Sequence, residues 1–263
     1  MRLNTTIAEY RGLNTMKIKF ASYNIHRCYG RDGKYNPERI RDVLRMLDAD
    51  VVALQEVEVF EKDPGLLDFL CEDSRWTALH GPTLSRHSGQ YGNALLTALP
   101  MVSARRIDIS HRSREPRGAL SVTLEQGRSR IRVLATHLGL RPSERRSQAI
   151  RLLDLLERET ETDMSADVTV LAGDLNEWFI WGRPLRWLKR HFGRTVHVRT
   201  YPTRWPVFAL DRIWVSPTHV LDHIAAVKSP LILEASDHLP LLAMIDLRGL
   251  QQPSHEQRPG HYD

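Results

Sequence analysis

The sequence predicts an α/β (α+β) protein in which two packed sheets are flanked by helices on both outer sides, and three observations point there. Short apolar runs of strand length recur along the chain, and one after another they end in polar groups. Apolar residues at helical spacing follow the first strand and return after a central run of strands and hairpins. The chain of 263 residues, 41% hydrophobic, is long enough to supply the core that such a layered arrangement requires. It shows no internal period and no low-complexity tract.

Residues 17–24 alternate Ile18, Phe20 and Ser22 with Lys19, Ala21 and Tyr23, a strand whose end delivers Asn24 and His26. Asn36 as cap and Pro37 in the first turn start a helix. Its buried face is Ile40, Val43, Leu44 and Leu47. Residues 51–54 (VVAL) form a buried strand that ends in Gln55 and Glu56. From 61 to 90 the pattern is less regular, with a short helix over residues 66–70 and a loop of Ser, Gly and His before Gln90. Residues 91–97 are a strand carrying Asn93. Strands at 119–125 and 131–136 are joined through Gln126-Gly127-Arg128-Ser129 into a hairpin, which Arg117-Gly118 opens and His137 closes.

The segment GLRPSERRSQAIRLLDLLERE then reads as a helix with Ser143 as cap and Ala149, Leu152, Leu153 and Leu156 on the buried face. Arg141, Arg145 and Arg146 crowd its first turn, where the helix dipole disfavours cations. They form either a solvated basic face or a group awaiting an anion. Next comes LAGDLNEW, where the strand at 168–172 runs into Gly173, which lets the backbone turn sharply and places Asp174 and Asn176 at the strand's end. A carboxylate and an amide at such an edge suit gripping a water, a metal or a phosphate. The alternative for an isolated D-x-N is a loop that satisfies its own backbone.

Residues 178–194 interleave Trp178, Phe179, Trp181 and Trp187 with Arg183, Arg186, Lys189, Arg190 and Arg194. This is the composition of an amphipathic helix covering the sheet, and also of a surface that stacks bases or lies against an anionic membrane. Residues 199–209 are an ordered loop broken by Pro202 and Pro206; it leads into a strand with Asp211 at its beginning. The last strand, HLPLLAMIDL, starts just after Ser236-Asp237.

A net charge of +5 and a pI near 9.4 indicate an anionic partner such as nucleic acid or acidic lipid. The 31 arginines against 6 lysines suit phosphate recognition, though a codon bias would give the same count. Cys28 and Cys71 make no disulfide framework and no zinc spacing, which fits a reducing compartment. No stretch reaches the length of an apolar membrane span, and residues 1–14 lack the core of a signal peptide, so a cytoplasmic location is expected. Residues 1–16 are expected to be a flexible extension, with Met16 an alternative start; 17–249 form one domain and 250–263 a flexible tail.

The settings SYNIH, LQEV, RGAL, ATHL, GDLN, LDRI and SDHLP, in that order, closely resemble the endonuclease/exonuclease/phosphatase superfamily. That group includes DNase I, exonuclease III-type abasic-site endonucleases, neutral sphingomyelinases and inositol polyphosphate 5-phosphatases. The resemblance covers residues 17–247, and seven short matches in order are far more specific than any one.

The resemblance implies a four-layered α/β/β/α sandwich of two mixed sheets, DNase I-like, with the site at one sheet edge. It implies Glu56 as principal metal ligand beside Asn24, with Asp237 ligating directly or through water, for Mg²⁺ with Mn²⁺ as alternative. It implies that Asp174 orients or deprotonates the attacking water, that Asn176 bonds the phosphate, and that His238 works with Asp211, which fixes its tautomer. Arg117 would neutralise a phosphate oxygen, with Asn93 also facing substrate. His137 stands where DNase-like and sphingomyelinase-like members carry histidine and abasic-site endonucleases carry tyrosine, which counts against abasic-site repair. The implied function is metal-assisted phosphodiester hydrolysis by a nuclease acting on DNA or RNA. The alternative is a phospholipid or sphingomyelin phosphodiesterase, or a phosphoinositide phosphatase, at a membrane surface. No obligate protein partner is expected.

Overall fold

In the computed structural model, which describes residues 16–60, 65–86, 89–160, 166–193 and 195–251, the apolar runs pair into two mixed sheets. The strands are β1 (Lys17–Asn24), β2 (Val51–Phe60), β3 (Thr77–Arg86), β4 (Gly89–Thr97), β5 (Met101–Asp108) and β6 (Gly118–Gln126). They continue with β7 (Ser129–His137), β8 (Val168–Asp174), β9 (Asp211–Ser216), β10 (Leu221–Ala226) and β11 (Leu241–Asp246). One sheet runs β10-β11-β1-β2-β4-β3 and the other β5-β6-β7-β8-β9. Among the described residues, only β1 with β2 and β7 with β8 pair in parallel. Each parallel pair is bridged by a helix, α1 (Pro37–Leu47) in the first sheet and α3 (Pro142–Thr160) in the second. The remaining helices are α2 (Leu66–Cys71), α4 (Arg183–Phe192) and α5 (Pro230–Ala235).

Alternation along the central strands separates three cores. Ile18 and Phe20 of β1, Val133 and Ala135 of β7, and Val168, Val170 and Ala172 of β8 meet between the sheets. The opposite face of the first sheet, with Ala21, Tyr23, Val52 and Leu54, lies under Ile40, Val43, Leu44 and Leu47 of α1 and Ile232 of α5. The opposite face of the second, with Leu134, Leu171 and Trp214, lies under Leu152 and Leu156 of α3 and Leu185, Leu188 and Phe192 of α4. The result is the expected helix, sheet, sheet, helix sandwich. Asn36 caps α1 as expected, its side chain accepting from the Arg39 N–H at 2.8 Å.

Several local expectations change. β2 does not end at Leu54: it continues to Phe60 across a bulge between Leu54 and Val57, where Glu56 takes φ +56°. A bulge leaves its extra residues unpaired and re-aims their side chains, so Glu56 reaches the site from mid-strand. Helix α3 begins at Pro142, which places Ser143 inside the helix and not at its cap, and Leu153 is only half-buried. The aromatic run 178–194 is not one helix, because α4 starts at Arg183 and leaves Trp178 to Trp181 in the preceding loop. Residues 236–240 are a loop, and β11 starts at Leu241. Strands β3, β5 and β10 and helix α5 were not expected.

The first and last segments, residues 1–15 and 252–263, lie outside the described residues. Met16 and Leu250, assigned to the extension and the tail, pack against the inter-sheet core, and the Met16 carbonyl accepts from the Leu247 N–H at 2.7 Å.

Gly173 does not turn the chain out of β8, which runs on to Asp174. It pairs with Thr136 of β7 at φ +144°, and a Cβ there would lie 1.8 Å from the Thr136 carbonyl oxygen. Both the backbone conformation and the approach of β7 require glycine. Gly173→Ala is therefore expected to cost about 2–4 kcal/mol through strain and overpacking. A urea unfolding midpoint equal to wild type would show that the two strands do not meet this closely.

Candidate active site

The polar groups singled out in the sequence come from strand ends and loops that meet at one edge of both sheets. In the second sheet His137, Asp174 and Asp211 are register partners in one row across β7, β8 and β9. From the first sheet, Asn24 ends β1 and its amide Nδ2 donates both to Glu56 Oε1 at 3.2 Å and to Asp174 Oδ2 at 3.1 Å. One amide thus joins the two sheets across the site.

Asp174 is buried, and its Oδ1 accepts from the Asn176 backbone N–H at 2.8 Å, closing a turn in which Asn176 takes φ +50°. Asn has the least difficulty of the non-glycine residues in that conformation. The Asn176 side chain then donates to the Leu138 carbonyl at 2.9 Å and lies 2.9 Å from His137 Nε2.

The two histidines are held oppositely. His238 Nδ1 lies 2.8 Å from Asp211 Oδ2, which also accepts from the Thr200 hydroxyl at 2.5 Å, while His238 Nε2 is 3.7 Å from Asp174 Oδ2. Burial alone would strip the proton from His238. The Asp211 carboxylate, with Asp174 beyond it, more than offsets that and raises the pKa to about 10. His137 is pushed well below the usual histidine range by burial, then by Arg117 and His238. Arg117 Nη1 stands 3.0 Å from His137 Nδ1 and Asn176 Nδ2 stands 2.9 Å from His137 Nε2, so both ring nitrogens face N–H donors, an environment that disfavours the charged ring. Asp174 shifts upward, first through burial and then through Asp211. At neutral pH the site therefore holds an imidazolium and a neutral imidazole, both within 4 Å of Asp174 Oδ2.

Arg117 is buried, with Nη2 paired to Glu115 Oε1 at 2.9 Å, so its fork is engaged by protein groups. Asn93 Nδ2 donates to the Gly118 carbonyl at 3.0 Å, tying β4 to β6. Both residues line a cleft of about 370 Å³ at the seam between the sheets, with Thr83, Asp108 and Ser110. Asp237 contacts Ser236 and His26, its Oδ1 lying 3.4 Å from the Ser236 hydroxyl and 3.9 Å from His26 Nδ1. Ser236 donates in turn to the Asn24 carbonyl at 2.8 Å, which anchors this loop to the end of β1.

Two donor sets could face a cation. Among the described residues the carboxylate and histidine atoms that converge within 4.8 Å belong to Asp174, Asp211 and His238, without Glu56 or Asp237. That set is poorly suited, because His238 is protonated and its Nδ1 is committed to Asp211. Glu56 and Asp174 instead offer carboxylate oxygens on either side of the Asn24 amide, whose Oδ1 accepts from the His26 N–H at 3.0 Å, with Glu56 half-buried and accessible. This suits a hard divalent ion that keeps several waters.

Three further residues contribute to the site without a motif of their own. Thr200 holds Asp211; Tyr201 packs on His238 with ring centroids 4.8 Å apart; and Arg145, grouped with surface arginines, is buried in a two-contact ion pair with Glu177 at 3.1 and 3.3 Å. None has a local signal, since each partner lies 11 to 37 residues away; only the aromatic run around Tyr201 could have drawn attention.

Residues 21–238 match the model of the Endonuclease/Exonuclease/phosphatase family. Uncharacterized protein YbhP of Escherichia coli (strain K12) is 29% identical over 258 residues, covering 88% of this chain and 96% of that one. An endonuclease/exonuclease/phosphatase structure from Beutenbergia cavernae superposes with a TM-score of 0.70 at 22% identity, covering 88% of this chain and 72% of the other. D. rerio TDP2 complexed with single strand DNA product superposes with a TM-score of 0.63 at 16% identity, covering 87% of this chain and 98% of the other.

The His238 shift has a direct readout. In metal-free protein its imidazole signal should titrate near pH 10 by NMR, and Asp211→Asn should bring the midpoint down by more than one unit. A group whose pKa rises on folding stabilises fully below its unfolded value, about 6.5, and that contribution fades as pH climbs toward the folded value. The difference in stability between wild type and Asp211→Asn should therefore be largest in mildly acidic buffer and shrink above neutrality. A His238 that titrates near its ordinary value in wild type would overturn the assignment.

Proposed function

The chain belongs to the endonuclease/exonuclease/phosphatase family, whose members are divalent-metal-dependent hydrolases of phosphoric ester bonds, and we propose that it is a Mg²⁺-dependent phosphodiesterase acting on nucleic acid. The observation that carries this reading is the buried pairing of Asp174 with a charged His238 at 3.7 Å, beside the Asn24–Glu56 pair. Phosphodiesters are anionic, so their hydrolysis needs a positioned water and positive charge where negative charge develops. Asn24 and Glu56 would hold Mg²⁺, or Mn²⁺, together with Asp174 and with Asp237 through water. When bound, the ion supplies charge to the phosphoryl and leaving oxygens.

The rest falls to the chain's own groups. Asp174, held by Asn24 and the Asn176 N–H, orients the attacking water and takes its proton; the raised pKa produced by burial makes it a better base than a surface aspartate. His238 presents Nε2–H to the phosphoryl oxygens, while Asp211 fixes the ring and sustains its charge. His137, neutral and held between Arg117 and Asn176, lines the site beside Asp174 without adding charge. The cleft at the sheet seam brings substrate past Asn93 and Arg117. With its fork engaged, Arg117 acts through its charge and through His137, and Asn176 chiefly positions His137.

Nucleic acid as substrate is supported by the net charge of +5 and by the likeness in fold to the single-strand DNA complex. A phospholipid phosphodiester is the second reading, favoured by the exposed apolar loop that follows Asn176.

Hydrolysis should be abolished by chelation and restored by Mg²⁺. His238→Ala should lower kcat by roughly 10²–10⁴, the scale of one acid or base group. Glu56→Ala should fall to background at Mg²⁺ that saturates the wild type. A panel of plasmid, single-stranded DNA, RNA, sphingomyelin and phosphoinositides assigns the substrate. Wild-type turnover in His238→Ala, or activity indifferent to chelation, would sink the mechanism.

A further inference from the structure

Directly after the site, the chain exposes four apolar residues in a row. Trp178, Phe179, Ile180 and Trp181 are 38%, 55%, 56% and 68% exposed and lie in the loop before α4, whose own apolar residues, Leu185, Leu188 and Phe192, face the core. A second loop beside it exposes Trp205 at 73% and Val207 at 54%. The two loops are joined through Trp178, whose ring packs edge-on against Phe208 at 4.8 Å and against Tyr201 at 5.7 Å. Tyr201 in turn packs on His238, so the apolar surface begins two ring contacts from the site. Contiguous exposed apolar surface of this kind marks an interaction face.

Charge identifies the partner. From residue 178 to residue 210 stand six arginines and one lysine with no Asp or Glu, so this stretch carries +7 in a chain whose net charge is +5, and all the rest nets −2. Arg146, Arg183 and Arg186 line a concavity of about 310 Å³ with the rings of Phe179 and Trp181. Arg186 also borders Ile180 on the other side of the loop. Cations thus flank the apolar tip, and the described residues include no helix long and apolar enough to cross a membrane. An apolar tip ringed by arginine suits a protein that lies on an anionic bilayer, with rings and aliphatic groups in the interface and guanidinium groups at the phosphates.

A platform for single-stranded nucleic acid would share the charge but differs in its apolar part. Base stacking needs ring faces free to take successive bases, whereas Phe179 and Trp181 each spend one face on the other at 5.2 Å and Trp178 is engaged edge-on by Tyr201 and Phe208. Ile180 and Val207 have no π face to offer. We propose that Trp178 to Trp181, with Arg146, Arg183 and Arg186, dock this enzyme onto anionic phospholipid membranes. The docking is independent of which phosphodiester enters the site.

The experiment is co-sedimentation of the full chain with vesicles of phosphatidylcholine, with and without phosphatidylglycerol. Wild type should pellet with the anionic vesicles only. Trp181→Ala and Ile180→Asn should each weaken that binding about tenfold, the scale of one buried apolar side chain. The pair Arg183→Gln with Arg186→Gln should weaken it at least as much. All four positions are exposed, so thermal midpoints should match wild type, and hydrolysis of a soluble phosphodiester such as bis(p-nitrophenyl) phosphate should be unchanged in Ile180→Asn. Absence of wild-type protein from the anionic pellet would overturn the proposal. So would unchanged vesicle binding in Ile180→Asn, or loss of oligo(dT) affinity in Trp181→Ala with vesicle binding intact, the last pointing instead to base stacking.

Discussion

Two carboxylates held opposite each other inside the protein set the terms for everything around them. Asp174 and Asp211 are register partners on β8 and β9, and both are essentially inaccessible to solvent. Like charges at directly opposed positions repel, and burial removes the water that would screen them. The pair persists because His238 stands against both, with Nδ1 on Asp211 and Nε2 toward Asp174. Neutral donors finish the task, Thr200 on Asp211, and Asn24 with the Asn176 N–H on Asp174. Asn24 comes from the end of β1, and the other donors come from segments without regular structure. Thr203 N–H bonds the Asp237 carbonyl and Leu239 N–H the Thr200 carbonyl, which locks the loop carrying Thr200 to the loop carrying His238.

The same logic extends to the turn after β8. Glu177 follows Asn176 directly and is buried, so a cation must reach it, and Arg145 from the first turns of α3 does so with two contacts. Arg145 Nη1 also donates to the Leu140 carbonyl. Such a pair contributes little net stability compared with apolar packing, but either partner alone would be costly to bury. What it provides is placement: the helix of the second outer layer is fixed to the turn that carries Asn176, and Asn176 is fixed to His137.

The interior of the fold was legible because strands covered on both faces carry apolar runs, as β2, β4, β7, β8 and β9 do, while β1 shows itself by alternation. The strands without such a pattern, β3, β5 and β10, are all sheet edges. An edge strand gains less from burial and so carries less pattern: β5 (MVSARRID) is exposed along most of its length, and β3 contains Gly81-Pro82, which an edge tolerates and a central strand does not. At the site, motifs located the strand ends but not what the side chains do there. VVAL ending in polar residues predicts Glu56 at a strand's exit, whereas a bulge carries the strand past it. Arg117 looked like a free phosphate fork, and its engagement with His137 and Glu115 depends on contacts across the sheet. The charge states of His137 and His238 depend on which neighbours share their burial, which no local window contains.

Chemistry and address are written in different parts of the chain because they obey opposite physical demands. The reacting groups gain strength from exclusion of water, and the residues from Asn24 to His238 that form the site are almost all buried. A surface that finds a partner must remain exposed, and Trp178 to Trp181 and Trp205 stay exposed despite the cost of hydrating apolar rings. The change from one regime to the other takes two residues, from buried Asn176 through Glu177 to exposed Trp178. The buried Arg145–Glu177 pair sits at that boundary, so the exposed loop is anchored to the reacting residues through a rigid connection. The exposed loop thus starts from a fixed point beside Asn176 and His137, while its apolar side chains stay clear of the reacting groups.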